Sequence, residues 1–394
     1  MKPDSDFDAL APETFDSPNA LYADLRARCP VAHSDSWGGF WALMRYDDVA
    51  RAAADSATFI TSVQNVIPKV AFTGRRPPLH LDPPDHTPYR RALNPLLSER
   101  RVAHLEATTR RYCAELLDPL IARGHAEICA DFSSRLPILV FANWMNLPEA
   151  QIRALAETGA RYNIAVQSAD EAVVKESSLA LYAMAEGLVQ ERLANPLDPA
   201  TDATSALLAA RVDGEPLPHA MIVGTIRQVL VVGIIAPTVL FGSMVVHLGR
   251  DRTLQDRLRA DPALIPAAVE EFLRLYTPYR GFARTARQDV TIAGRTIPAG
   301  DPIALVYASA NRDAAVFEAP DEFRLDRPNI GDHIAFGRGP HHCPGAALAR
   351  LEMRVALEEL LARTAGFALA GEPQPTRFPE IGALSVPVRL TPTT

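Results

Sequence analysis

The chain holds 394 residues, 48% of them hydrophobic and 22% charged, with a formal net charge of −7 at pH 7. That apolar fraction supports a substantial core and excludes a disordered chain, while the acidic balance excludes a general nucleic-acid binder, whose phosphate-facing surface must be basic. Four cysteines, Cys29, Cys113, Cys129 and Cys343, have neither the spacing of a metal-site pair nor the density of a disulfide framework, which indicates a cytoplasmic, reducing environment.

In chain order, the segment from Met1 to Phe15 is acidic and broken by Pro3 and Pro12, unlike a signal peptide or a membrane anchor. Residues 39–44 read as a strand. The run Asp82-Pro83-Pro84-Asp85-His86-Thr87-Pro88-Tyr89-Arg90 leads into a helix start that sets His86 and Arg90 on one face. Helical periodicity then dominates 100–123, 149–162, 169–194 and 218–276, with a Pro-, Asp- and Thr-rich surface loop at 195–204. Within the last region, 229–248 is apolar for about the length that crosses a bilayer. Pro237, Ser243 and His247 interrupt it, so it reads as a buried central helix, and no membrane association is expected. Short strands follow at 290–292, 295–297 and 303–307, the second ahead of a Pro-Ala-Gly turn at 298–300. The expected fold is mainly α with small β-sheets, in one domain spanning 1–394.

The most informative stretch is Phe336-Gly337-Arg338-Gly339-Pro340-His341-His342-Cys343-Pro344-Gly345, followed by a long apolar-striped helix. Pro344 suits a first helical position, and the amides of that first turn favour a charged sulfur. Such a thiolate is a good metal ligand. Gly337 and Gly339 let the backbone pass close to a flat partner. Read alone, a cysteine beside a glycine-rich turn is as readily a buried structural residue. The whole arrangement, however, resembles the haem-ligand loop of the cytochrome P-450 family, Phe-Gly-x-Gly-x-His-x-Cys-x-Gly, with Phe336, Gly337, Gly339, His341, Cys343 and Gly345 at the fixed positions. The resemblance implies haem b (iron protoporphyrin IX), held between the central helix and the helix after the loop. It makes Cys343 the iron ligand, whose thiolate donates electron density that favours O–O cleavage, and it places Phe336, Gly337 and Gly345 against the cofactor.

Glu271 and Arg274 lie one helical turn apart, a spacing that permits an ion pair. Their place upstream of Asn311-Arg312-Asp313, Phe317, Pro320-Asp321-Glu322-Phe323 and Arg327 is similar to a family segment in which the second arginine, here Arg327, joins the pair in a structural network. Haem propionates need cationic or donor partners. The resemblance assigns that role to His86, Arg90, Arg284 and His341. Matches from His86 to Gly345, with fitting flanks, make the likeness extend over essentially the whole chain.

One departure stands out. In the family the central helix usually carries Gly, any residue, an acid and then a threonine, and the last two manage protons. Counted back without gaps from Glu271, this chain has Gly233-Ile234-Ile235-Ala236-Pro237-Thr238, so the acid position falls on Ile235 and the alcohol on Ala236. Pro237 removes a backbone hydrogen bond and should kink or widen the helix there. Ala236, Pro237 and Thr238 are therefore the candidate catalytic segment. Three outcomes are open: monooxygenation with protons from Thr238 or from a water at the opened backbone; proton supply by a substrate group, or replacement of dioxygen by hydrogen peroxide; or haem chemistry without oxygen insertion, such as coupling or dehydration.

The family's distal wall maps onto Val66, Val70, Phe72, Val232, Gly233, Ala236, Phe282 and Leu384, an apolar set that suits a small, largely apolar organic substrate. Arg280 is a candidate for a substrate carboxylate, or else a surface arginine. Hydroxylation or O-/N-dealkylation is the expected chemistry. With no flavin or iron–sulfur pattern in the chain, electrons are expected from a ferredoxin and an NAD(P)H-dependent ferredoxin reductase. The docking face would be marked by Arg338, Arg350 and Arg354. A haem-binding sensor or carrier is the non-catalytic alternative.

Overall fold

Residues 4–69, 73–168 and 170–393 are described by the structure, a computed structural model; Val70 and Phe72 lie outside the described residues. The chain divides into two units, one formed by Met1–Val70, Glu270–Cys343 and Pro375–Gly382, the other by Ala71–Val269, Pro344–Gln374 and Ala383–Thr394.

The first unit is built on a five-stranded sheet in the order Val31–Ser34, Phe40–Leu43, Pro302–Leu305, Phe282–Ala286, Phe59–Ile60. All neighbours are antiparallel except Pro302–Leu305, which runs parallel to Phe40–Leu43. Successive side chains of a strand point to opposite faces. Trp41, Leu43, Ile303 and Leu305 accordingly pack with Val49 and Ala53 of helix Tyr46–Ala54, whereas Phe40, Ala42 and Ala304 pack with Tyr22 and Leu25 of helix Pro18–Arg28. Burial on both faces explains why these strands are apolar runs with little alternation. The strand expected over 303–307 stops at Leu305, and Tyr307–Ala310 turns helical.

The second unit is helical, with Glu106–Arg123, Glu149–Gln167, Glu171–Ala194, His219–Val232, Ile235–Arg250 and Ala346–Arg363 as its main elements. Strands Thr364–Leu369, Pro387–Pro392 and His125–Glu127 form an antiparallel sheet that the sequence reading did not anticipate. The helical region expected over 218–276 is four α-helices and a short 3-10 turn at Pro262–Leu264: Asp251 and Asp261 cap two of the new starts by accepting from the amides of Leu254 and Ala263. The run 219–250 is long and apolar enough to cross a membrane, yet 72% of its most apolar window is buried inside the protein. It is interrupted at Gly233 (φ −83°, ψ 2°) and Ile234 (φ −102°, ψ −54°). Pro237 supplies the cause: it has no N–H for the carbonyl of Gly233, and its ring clashes with that carbonyl in a regular helix. The distortion expected at Pro237 therefore appears one turn upstream.

Candidate active site

The loop that ends at Cys343 belongs to the first unit. Its closure is a backbone bond from the Cys343 amide to the Phe336 carbonyl at 2.8 Å, with inner turns from Gly337 to Ile334 (2.9 Å) and His342 to Gly339 (3.0 Å). Both glycines are in the left-handed region, Gly337 at φ 70° and Gly339 at φ 72°, which other residues adopt at a cost. A Cβ on Gly339 would lie 2.6 Å from Cα of Ala54, and one on Gly337 would lie 3.2 Å from the hydroxyl of Tyr307. These glycines thus serve the loop's packing against its own unit, a role the sequence reading missed when it gave them only to a flat ligand. The helix begins at Ala346 with Gly345 as its cap. Pro344 sits in the preceding turn and not at the first helical position.

Two side chains unmarked by any motif hold this region. Thr61, buried, lies 3.2 Å from Nε2 of His341. Tyr307 is fully enclosed; burial pushes its hydroxyl pKa up, and the neighbouring Arg284 partly offsets this. Arg284 is buried on strand Phe282–Ala286 and donates to the Ala283 carbonyl at 2.9 Å. The Phe282 ring packs at a tilt against those of Tyr279 (4.4 Å) and Tyr307 (6.0 Å), and Val66 forms a backbone bridge with Phe282. Expected ligand-loop and pocket residues of this unit are therefore joined through Tyr307.

Glu271, Arg274 and Arg327 form a buried network. Arg274 grips both carboxylate oxygens of Glu271 at 2.8 and 2.7 Å, and Nε of Arg327 approaches the same two oxygens at 3.1 Å each. Arg274 also donates to the carbonyls of Asn311 (2.9 Å) and Pro320 (2.7 Å), and Arg327 to that of Glu318 (2.6 Å). The network thereby ties the Glu271 helix to the irregular chain that runs toward the thiolate loop.

Arg280 corrects an expectation. It is neither a surface residue nor a carboxylate receptor: at 1% exposure it donates to the carbonyls of Glu380 (2.7 Å), Thr14 and Thr376 (3.5 Å), and it stacks on Phe378 and Phe15. Its donors are consumed in joining three chain segments of the first unit.

In the second unit, His86 is buried at the start of helix Thr87–Leu93 and Arg90 follows one turn later, its amide bonded to the His86 carbonyl at 3.4 Å. Around the helix break, Gly233 fits against Phe141, whose ring would be 3.3 Å from an added Cβ. Val232 is half exposed, Ile235 and Ala236 are partly exposed, and Pro237 and Thr238 are buried. The Thr238 hydroxyl faces backbone, 2.8 Å from the Ile234 carbonyl and 2.9 Å from that of Ser133. Leu384 is exposed on strand Ala383–Ser385, which is held to helix Ile235–Arg250 by the Ala383 amide donating to Ser243 Oγ at 3.2 Å. Of the three arginines expected to mark a docking face, Arg338 is exposed, but Arg354 is spent on Glu106 (2.6 Å) and Glu358 (3.1 Å), so it offers no uncompensated charge to a partner.

A single thiol at the end of a closed loop, in a unit that also carries the buried Arg284 and the His341 ring, is a donor set that would suit a haem thiolate. Among the described residues no three His, Cys, Asp or Glu side chains could hold a metal alone; an iron on Cys343 would take its other ligands from a macrocycle, which fits this chain's donors. Comparison with known proteins agrees. The family model Cytochrome P-450 matches residues 243–389. Cytochrome P-450 130 of Mycobacterium tuberculosis is 34% identical over 379 residues, 93% of this chain and 92% of that protein. The mycinamicin IV hydroxylase/epoxidase of Micromonospora griseorubida is 34% identical over 94% of each chain. In three dimensions, cytochrome P-450 CYP109Q5 from Chondromyces apiculatus superposes with a TM-score of 0.89 at 31% identity, covering 98% of both chains. The chain belongs to the cytochrome P-450 family. It is a mainly helical haem-b monooxygenase, and its relatives include proteins named as hydroxylases and epoxidases.

Proposed function

We propose that this enzyme hydroxylates or dealkylates a small, largely apolar organic molecule in the cytoplasm, using dioxygen and electrons from a ferredoxin and an NAD(P)H-dependent ferredoxin reductase. The observation that carries the reading is the loop closed by the Phe336–Cys343 bond, which presents one thiol next to a helix start. Cys343 is the iron ligand in this reading, and Arg284, His341, His86 and Arg90 are the propionate partners. Bound through that thiolate, haem supplies the oxygen activation. Phe336, Gly337 and Gly345 shape the loop on the ligand side, and Val66, Phe282, Val232, Gly233, Ala236 and Leu384 exclude water and select apolar substrates.

The proton path is assigned to the backbone of the broken helix. With the Thr238 hydroxyl turned to carbonyls, the carbonyl of Gly233, to which Pro237 has no N–H to donate, would orient a donor water in place of the missing acid and alcohol. Ile235 and Ala236 also support a second reading, a peroxygenase that takes hydrogen peroxide and needs no such delivery. The test is turnover of an aromatic and terpenoid panel with peroxide alone and, separately, with ferredoxin, reductase and a nicotinamide donor. Product from the electron-transfer mixture supports monooxygenation; product from peroxide alone supports the second reading. Ile235→Asp with Ala236→Thr should raise the reductant-driven share, and an unchanged ratio would remove this helix from the explanation.

A further inference from the structure

The second unit contains two buried arginines, Arg76 and Arg227, that differ from Arg192, Arg274, Arg280 and Arg327. Arg274 and Arg327 share Glu271, Arg192 pairs with Asp202 at 3.2 Å, and Arg280 spends its donors on carbonyls. Among the described residues, Arg76 (6% exposed) and Arg227 (1% exposed) have no carboxylate partner, and Nε of each is buried without a hydrogen bond. Arg227 gives one bond, from Nη2 to Ser178 Oγ at 2.8 Å, and its guanidinium lies over the rings of Tyr162 (5.1 Å) and Tyr182 (5.8 Å). The charge acting most strongly on Arg76 is that of Arg227 itself, after burial, and both lower its pKa; the hydroxyls of Tyr162 and Tyr182 only partly offset them. Two like charges in a dry environment are costly without a counter-charge.

The packing keeps this arrangement in place. A Cβ on Gly224 would lie 2.0 Å from the carbonyl of Arg75, so the bare glycine lets the loop carrying Arg76 lie directly on helix His219–Val232, one turn before Arg227. The same loop is fastened by Tyr182, whose hydroxyl donates to the Arg75 carbonyl at 3.3 Å, and by Thr73, 2.7 Å from Ser178. His80 does not add to the charge, since burial and the arginines hold its pKa down at about 3. The result is two guanidiniums whose charges act on each other, Arg227 lying over two tyrosine rings, and guanidiniums bind planar oxyanions through charge-assisted bonds.

We infer that Arg76 and Arg227 bind the carboxylate of the substrate, so that the molecule oxidised is an organic acid with an apolar body. The inference rests on the monooxygenase reading above and names its substrate class. Arg227 is six residues ahead of Gly233, about 9 Å along a helix, so an acid anchored there extends its apolar part along the helix toward the break. A neutral analogue leaves both cations uncompensated and is discriminated against. The carboxylate receptor expected at Arg280 is thereby reassigned.

The experiment is calorimetric titration of the haem-loaded enzyme with 4-butylbenzoate, with its methyl ester and with inorganic phosphate, on the natural protein and on Arg76→Met and Arg227→Met. The acid is expected to bind about 10–100-fold more tightly than the ester, as charge-assisted bonds allow, and either substitution should bring the two within about 3-fold. Because each variant removes an uncompensated buried charge, its ligand-free Tm should be equal to or above that of the natural protein. Equal affinity for acid and ester overturns the proposal, as does a lowered Tm with the acid preference intact, which would make the arginines structural. Phosphate binding as tight as that of the acid overturns it in favour of an inorganic-anion site. Acid preference without turnover from either oxidant leaves the anion site standing and removes the proposed hydroxylation or dealkylation; turnover of neutral compounds with no acid preference does the reverse.

Discussion

Thr238 and Ser133 hold each other by reciprocal side-chain-to-backbone bonds: the Thr238 hydroxyl lies 2.9 Å from the Ser133 carbonyl, and the Ser133 hydroxyl donates to the Thr238 carbonyl at 3.2 Å. The clamp sits one residue after Pro237, where the helix has lost a regular bond. Thr238→Val should therefore cost about 1–3 kcal/mol of stability, the penalty for buried carbonyls left without a donor, with kcat changed less than about twofold. Denaturant unfolding and steady-state kinetics measure both; a tenfold fall in reductant-driven kcat with peroxide turnover retained would restore Thr238 to the proton path.

Glu271 is the shared acceptor of two buried arginines and of the Arg324 amide at 3.0 Å. Removing one partner from such a network leaves the others buried and uncompensated, at about 3–5 kcal/mol. Glu271→Gln should yield protein that unfolds earlier in urea and retains little haem. Natural stability and haem content in that variant would show the network to be dispensable.

Cys343→Ala should abolish the carbon monoxide difference spectrum typical of thiolate-ligated haem, because no second thiol is within the loop. A variant that still gave that spectrum would sink the ligand assignment.

Two buried groups set opposite pH dependences in the second unit. His80 is held at about 3, by burial first and then by Arg76, Arg227 and Arg75, below its ordinary 6.5. The unfolded chain therefore binds its proton first, and stability is lost as pH falls from about 6.5 toward 3, by several kcal/mol at the acid end. His80→Asn should flatten the urea-unfolding midpoint across that window. An equally steep profile would assign the acid sensitivity elsewhere.

Glu352, in helix Ala346–Arg363, has its pKa pushed well up by burial. Its folded pKa exceeds its unfolded one, so its contribution is full below the unfolded value and is lost as pH rises through the folded value. Glu352→Gln should raise stability at pH 8 by about 1–3 kcal/mol relative to pH 4; no pH-dependent gain would mean that the carboxyl ionises freely.

What the sequence determined by itself was chemistry carried by contiguous residues. The run from Phe336 to Gly345 names an iron ligand and its loop within ten positions, Glu271 and Arg274 share a helix face by spacing alone, and Pro237 forbids a regular bond wherever the helix lies. Tertiary structure decided what depends on partners distant in the chain. Arg280 and Arg227 look alike as sequence, yet one meets the carbonyls of Thr14 and Glu380 while the other, among the described residues, meets Ser178 and two tyrosine rings. Gly339 owes its need for a bare backbone to Ala54, and Tyr307 and Thr61 reach the ligand-loop region with no motif to mark them. Burial and charge compensation arise only when remote segments pack, and they determine whether an arginine is a strut or a receptor.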